Sequence, residues 1–390
     1  MRLRQIGNWP LLPDPQTMHP LIAYLNEQLP AMTALLTRIV AAESFSADKA
    51  GVDDVGRLIA HELRARGADV TIFPQTQTGD HVLGVFNRGA GSPIAMILHM
   101  DTVHPRGSFA ARYKIEDGKM YGPGVFDMKA SHVIALYAVQ ALQALGQMPN
   151  REIRMLFTSD EEIGSFTSAD LIMAQAHDAA LVMIMEPALS DGRLKSSRRG
   201  VGNFTVVAHG RASHAGGGHE RGINAIQEMA HHVLAIQSLT DYQRGIATTV
   251  SMIAGGIAHN VVPDRCEIHV DARANTQADA EWITERIHSL QPVLPGARLE
   301  IAGKFERPPM ECNAERLAIF ERMKAIVAPI MTLAHGPSGA GSDAAFTAPI
   351  APTMDGLGAV GDGLHAIDEH VVLASLVERA AMNALIVKEW

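Results

Sequence analysis

The sequence predicts an α/β protein with a large, mostly parallel-sheet domain interrupted by an inserted ferredoxin-like βαββαβ domain. Three observations predict it. At 390 residues the chain exceeds the size at which one hydrophobic core stops growing, so two domains are expected. Up to about residue 197, short apolar runs alternate with helical patterns, the texture of a sheet covered by helices. Over 198–309 apolar and polar residues alternate instead, and the first texture returns after Pro308-Pro309. The expected partition is therefore 1–197 and 310–390 for the large domain, with 198–309 as the insert.

In the large domain, Leu83 to Phe86 and Ile94 to Met100 read as strands, the second apolar enough to be central. Met128 to Leu145 reads as a helix, with Val133, Leu136, Val139 and Leu142 on one side. Ile153 to Thr158 and Leu181 to Met185 are further apolar runs, each ending just before acidic residues. In the insert, Asn203 to His209, Thr248 to Ala254, Arg265 to Arg273 and Arg298 to Ala302 read as strands. Helices over Asn224 to Leu239 and Ala278 to Leu290 complete the βαββαβ order, whose antiparallel sheet leaves strand edges available for pairing. Helices from about Glu315 to Ala328 and Asp368 to Val387 close the chain.

Composition narrows the partners. Lys and Arg number 33 against 42 Asp and Glu, a formal charge of −9 with no long basic run. Nucleic acid and acidic membrane surfaces are poor partners on those grounds. Cys266 and Cys312 make no disulfide framework and read as buried small hydrophobes. No window approaches a membrane span, and Met1 to Asp14 has no apolar core of signal-peptide length, which points to the cytoplasm. The Gly-rich stretches at 336–341 and 356–363 carry no phosphate-loop lysine, which argues against a nucleotide binder.

The chemistry gathers where strands of the large domain end. His99-Met100-Asp101 closes one strand, Glu161-Glu162 another, and Glu186 a third. Asp127 sits in Gly122 to Lys129 just before a helix, and His365 follows a Gly-rich stretch. Singly, each has an ordinary reading: a core histidine, a helix N-cap, a solvated turn, an exposed acid. Together they place three or four carboxylates at one sheet edge, and like charges a few ångströms apart disfavour ionisation. A pair of divalent cations removes that penalty. Two histidines with several carboxylates suit zinc, with cobalt or manganese able to substitute.

His99-x-Asp101, the stretch Gly122-Pro123-Gly124-Val125-Phe126-Asp127-Met128-Lys129, Glu161-Glu162-x-Gly164, Glu186-Pro187 and the late His365 together resemble a zinc aminopeptidase-like hydrolase family. That family includes glutamate carboxypeptidase (carboxypeptidase G), acetylornithine deacetylase, succinyl-diaminopimelate desuccinylase and aminoacylase. The resemblance implies two Zn2+ per chain. Asp127 would bridge both, His99 and Glu186 would complete the first site, and Glu162 and His365 the second. Asp101 would hold the far nitrogen of His99. Glu161 would act as general base toward the attacking water and return the proton to the leaving amine. The family also carries a cis peptide after the bridging aspartate, here Asp127–Met128.

In the insert, Gly210 to Gly216 resembles the family segment whose histidine polarises the scissile carbonyl from the other subunit of a dimer. That histidine would be His214, and the insert would serve as lid and dimerisation domain. Asn260, in His259 to Pro263, resembles a substrate-contacting asparagine, and Arg273 resembles the clamp on the substrate carboxylate. Arg307 is either a second such contact or a surface salt bridge. Ser338 to Asp343, with Gly341 and Ser342, resembles a loop whose backbone N–H groups hold an anionic tail. Pro337 and Ala340 depart from the family pattern and leave the substrate open. The expected function is release of a C-terminal amino acid from a small peptide or N-acyl amino acid, glutamate carboxypeptidase being the nearest branch. The alternatives are an N-acyl amino-acid deacylase of the acetylornithine deacetylase type and a non-catalytic metal-binding relative.

Overall fold

Residues 18–111 and 113–390 are described by a computed structural model; the expectation about Met1 to Asp14 falls outside the described residues. Two helices the sequence reading did not anticipate, α1 (Pro20–Ala41) and α2 (Lys49–Ala65), come first. In α1, Leu21, Leu25, Met32, Leu36 and Ile39 recur at helical spacing and are buried. Asp48 starts α2, its carboxylate accepting the Gly51 N–H at 3.2 Å. Strands β1 (Asp69–Phe73), β2 (His81–Phe86) and β3 (Ile94–His99) follow, then α3 (Ala130–Ala144), β4 (Ile153–Thr158) and β5 (Leu181–Ile184).

These strands form a mixed six-stranded sheet in the order β1-β2-β4-β3-β5, completed by the short strand Thr353–Met354. The three pairings around β3 and β5 are parallel, and the two involving β2 are antiparallel. Every residue of β3 is buried, as its unbroken apolar run requires of a strand covered on both faces. Helix α3 is buried almost all round and packs against α1 and the final helix, Ser375–Glu389. That final helix starts seven residues later than expected, because His370–Val372 pairs as a strand with Lys119–Tyr121 instead.

Residue contacts group the chain into two units. The first runs to Ser196 and takes up Cys312–Pro337 and Phe346–Trp390; the second is Ser197–Glu311 with Ser338–Ala345. The second unit contains β6 (Gly200–His209), α4 (Ala225–Gln237), β7 (Ala247–Gly255), β8 (Arg265–Ala274), α5 (Gln277–His288) and β9 (Arg298–Arg307). Its sheet is antiparallel, ordered β7-β8-β6-β9. Alternate residues of β6 and β8, among them Phe204, Val206, Ile268 and Val270, share one core with Met229 and Ile236 of α4 and Ile283 and Ile287 of α5. Glu228 of α4 is fully buried there, accepting the N–H groups of Val293 and Leu294 and lying 2.7 Å from His232 Nε2. Met252 and Ile253 on the edge strand β7 are exposed.

Cys266 is buried, but Cys312 is exposed, a correction to the expectation for both. It lies in the turn just before Asn313, whose side chain caps the helix Ala314–Val327, so it faces solvent rather than the core. Among the described residues no helix is long and apolar enough to cross a membrane.

Candidate active site

Three parallel strands of the first unit set the site. His99 pairs with Thr158 and Ile97 with Ile184, so β3, β4 and β5 end at one edge of the sheet. His99 is the last residue of β3. Glu161 and Glu162 follow β4 in a single helical turn, and Glu186 lies two residues beyond β5. Asp127 enters from the turn ahead of α3. Gly124 makes that turn at φ 68°, where a Cβ would also stand 2.3 Å from the Thr102 Cγ2 methyl. The Asp127–Met128 peptide is cis. Asp127 does not cap α3, whose N-cap position is Lys129; its carboxylate turns to two histidines instead.

One oxygen serves each histidine. His99 Nε2 lies 3.0 Å from Asp127 Oδ1 and 3.5 Å from Glu186 Oε1. His365 Nε2 lies 3.6 Å from Asp127 Oδ2 and 3.4 Å from Glu162 Oε2. Donor atoms of His99, Glu161 and Glu186 fall within 4.8 Å of one another, as do those of His99, Asp127 and Glu162. His365 is held at φ 62°, a left-handed conformation that costs a non-glycine residue energy and often marks functional sites. The glutamates are not a solvated turn: Glu161 and Glu186 are buried, and the Glu162 side chain is 7% exposed.

Asp101 reaches both sides of the site. The nearest acceptor to His99 Nδ1 is the Asp101 carbonyl at 3.0 Å, with the carboxylate at 3.6 Å. The carboxylate itself accepts Ser46 Oγ–H at 2.8 Å and the N–H groups of Glu161 and Glu162, each at 3.2 Å. It thereby fixes the backbone that carries the two glutamates.

The electrostatics show how crowded the site is. Burial drives Glu162 up to about 7, the Asp127 charge adding to the effect against the pull of His365. Hydrogen bonds to Asp127 and then Glu162 hold His365 up at about 10. Burial works to raise Asp127, yet His365 and His99 hold its carboxyl far below the usual range. Burial works to lower His99, and Asp101, Asp127 and Glu186 overcome it, lifting it well above the usual imidazole value. Glu162 Oε1 is buried with no hydrogen-bond partner among the described residues. An orphaned carboxylate oxygen amid imidazole nitrogens and three other carboxylates fits a divalent cation of borderline softness.

The other residues that the sequence singles out, among them His214, Asn260, Arg273, Arg307, Gly341 and Ser342, lie in the second unit. His214 and Asn260 come together: Ser213–His214 pairs with Val261–Val262, and the Ala215 N–H donates to the Asn260 carbonyl. His214 Nδ1 accepts the N–H groups of Gly216 and Gly217, both at 3.0 Å, which leaves the proton on an exposed Nε2. Arg307 approaches Asp343 at 3.6 Å, and Arg198 Nη1 donates to the Gly341 carbonyl at 3.1 Å. Ser342 is buried in that loop, accepting the Ala344 N–H. Arg273 lies on β8 with both arms of its fork on Asp271, at 2.8 and 2.7 Å.

Sequence reasoning missed Ser46, His104 and Glu369. Glu369 lies four residues after His365, a spacing that without structure looks like any loop acid.

A sequence model of the peptidase family M20/M25/M40 matches residues 95–389. The chain belongs to that family. Like its relatives it is a metal-dependent hydrolase. Carboxypeptidase G2 from Pseudomonas sp. (strain RS-16) is 29% identical over 373 residues, covering 93% of this chain and 90% of that one. A succinyl-diaminopimelate desuccinylase from Gluconacetobacter diazotrophicus is 27% identical, covering 89% and 94%. The solved aminopeptidase PepT from Bacillus cereus shares the fold with a TM-score of 0.75 at 20% identity, covering 93% and 98%. An M20 family metallo-carboxypeptidase from Sulfolobus solfataricus does so with a TM-score of 0.70 at 16% identity, covering 92% and 99%.

Protons and a divalent cation would compete for these groups. His365 is held up at about 10 and Glu162 at about 7, and each would have to lose its proton to ligate. If they do hold the ion, divalent-cation affinity is expected to rise between about pH 6 and pH 9, with more protons released per chain at the lower end of that range than at the upper. Calorimetry in buffers of different ionisation enthalpy reads the release; a pH-independent affinity would place the metal elsewhere.

Proposed function

We propose that this M20 family member is a two-zinc amidohydrolase that cuts an amide bond next to a free carboxylate, releasing a C-terminal amino acid in the manner of a glutamate carboxypeptidase. The observation that carries the reading is Asp127, whose two oxygens face two different histidines, each beside its own glutamate. Asp127 would be shared between two ions, with His99 and Glu186 completing one set of ligands and Glu162 and His365 the other. Zinc bound there supplies Lewis-acid polarisation of the scissile carbonyl and lowers the pKa of water. Glu161 stands beside this set, its carboxylate within reach of His99 and Glu186. It takes the proton of the attacking water and returns it to the leaving amine.

His214 donates its Nε2–H to the carbonyl oxygen, which is why two backbone N–H groups on Nδ1 matter: they fix the donating tautomer. For the substrate carboxylate the candidates are Arg273, whose fork lies on Asp271, and Arg307, which approaches Asp343 beside the 338–343 loop. The substrates are small peptides or N-acyl amino acids. The similarity to a desuccinylase favours a second reading, an N-acyl amino-acid deacylase, with the same ligands and the same base.

The experiment is a panel of N-acyl and N-benzoyl amino acids with zinc or cobalt. Glu161→Ala is expected to retain two zinc ions per chain and lose about 10²–10⁴-fold in kcat; a variant keeping a tenth of wild-type turnover removes Glu161 from the role. Amidating the terminal carboxylate is expected to abolish cleavage, and equal rates on acid and amide would make the chain a general amidase.

The chain acts as a homodimer through its inserted unit. An edge strand, β7, with exposed Met252 and Ile253 is a surface that natural proteins cover, and two copies related by a two-fold axis cover both edges at once. His214 then serves the partner's site. Mixing inactive Glu161→Ala and His214→Ala chains under exchange conditions is expected to restore activity, up to half the sites in each mixed dimer. No recovery on mixing, or full activity in a monomer by light scattering, would refute the arrangement.

A further inference from the structure

We propose that Glu369 is a positioning residue for the metal centre: one buried carboxylate ties the turn that presents Asp127 to the segment that presents His365. The inference rests on the ligand roles proposed above for Asp127 and His365.

Glu369 is fully buried in the first unit, where an unsatisfied carboxylate is costly. Four donors satisfy it. Oε1 accepts the N–H groups of Phe126 at 2.8 Å and Asp127 at 2.9 Å. Oε2 accepts the Gly124 N–H at 3.1 Å and faces His104 Nε2 at 2.7 Å. Its own carbonyl accepts the Gly122 N–H at 3.3 Å. The whole turn from Gly122 to Asp127 is therefore threaded onto this one residue. Such a turn has no ladder of its own to satisfy these groups, and a buried backbone N–H without a partner costs about 1–3 kcal/mol.

The other end of the clamp is short. The Ala366 N–H donates to the Gly363 carbonyl and the Glu369 N–H to the Ala366 carbonyl, closing one tight turn across His365 and a second directly after it. His370, the next residue, pairs with Tyr121, immediately before Gly122. Two segments more than two hundred residues apart in the chain thus hold one geometry, and the 3.6 Å approach of His365 Nε2 to Asp127 Oδ2 is a product of it. Backbone position sets ligand position here, because the Asp127 N–H is itself one of the four donors. Groups that orient metal ligands typically contribute about 10- to 100-fold in affinity.

The test uses the full chain and cobalt(II), whose visible d–d absorption reports both affinity and coordination geometry. Glu369→Gln keeps the size but turns an N–H group toward donors that need an acceptor; Glu369→Asp keeps the charge and withdraws it by one methylene. Both are expected to bind cobalt at least about tenfold more weakly with an altered d–d spectrum, and kcat is expected to fall further than KM changes. Glu228→Gln, at the buried carboxylate of the second unit, is the control: it lowers the melting temperature and leaves cobalt affinity and spectrum unchanged. Wild-type affinity and spectrum in a folded Glu369→Gln or, if that variant does not fold, in Glu369→Asp overturn the proposal. If neither folds, His104→Gln decides: it takes away the imidazole donor while sparing the three backbone ones, and unchanged cobalt affinity and spectrum in it overturn the proposal equally. Because cobalt binding is read without turnover, a wild-type chain that binds cobalt but cleaves nothing on the panel rejects the carboxypeptidase reading and leaves this result standing.

Discussion

Mutual repulsion among buried carboxylates is the constraint around which the first unit is built. Asp101, Asp127, Glu161 and Glu186 are all buried, Glu162 is nearly so, and His99 and His365 are the imidazoles among them. Left to themselves such groups would protonate or move apart. They are held by parts that cannot easily move: the ends of three parallel strands, a turn made around Gly124, and backbone N–H groups aimed at Asp101 and Glu369. The raised values of Glu162 and His365 measure the tension among the protein's own groups. A bound ion reverses that logic, since it favours the deprotonated form of every ligand at once.

Much of this was legible in the sequence because it is local. A continuous apolar run ending in His99 or just before Glu161 states both where a strand stops and what it delivers. The βαββαβ order of the second unit could be read from period-two alternation, plainest in β8, where the outward positions Arg265, Glu267, His269, Asp271 and Arg273 are all polar. What stayed hidden depends on distant pairing. His370–Val372 was read as the start of the last helix although two adjacent valines favour a strand, and its partner Lys119–Tyr121 makes it one. Which atom of a near neighbour makes a contact was hidden as well: Asp101 was expected to meet His99 through its carboxylate, while its carbonyl makes the shorter contact. Cys312 stands between Glu311 and the helix cap Asn313 and is exposed, polar neighbours along the chain that the expectation of a buried thiol passed over.

Glycine supplies the closeness that the site needs. Besides Gly124, Gly358 lies where a Cβ would stand 2.0 Å from Ser131 Oγ and 2.3 Å from the Met185 carbonyl, and its N–H donates to the Glu186 carbonyl at 2.8 Å. Buried Arg379 collects the carbonyls of Gly356, Gly358 and Gly192 from the other side, so a cation joins buried Leu357, Ala359 and Val360 in packing the loop before His365. Polar groups satisfied in this way specify one arrangement of the backbone.

The split of the first unit by the second sets an order of events during synthesis. His99, Asp101, Asp127, Glu161, Glu162 and Glu186 emerge first, and His365 and Glu369 follow 179 and 183 residues after Glu186. At about 5–20 residues per second that gap lasts on the order of ten to thirty-five seconds. Through that interval the nascent chain carries a crowded acidic cluster whose turn at Gly122 to Asp127 has no acceptor for its N–H groups. His365 and Glu369 therefore join the other acidic residues and His99 only after the whole of the second unit has been synthesised.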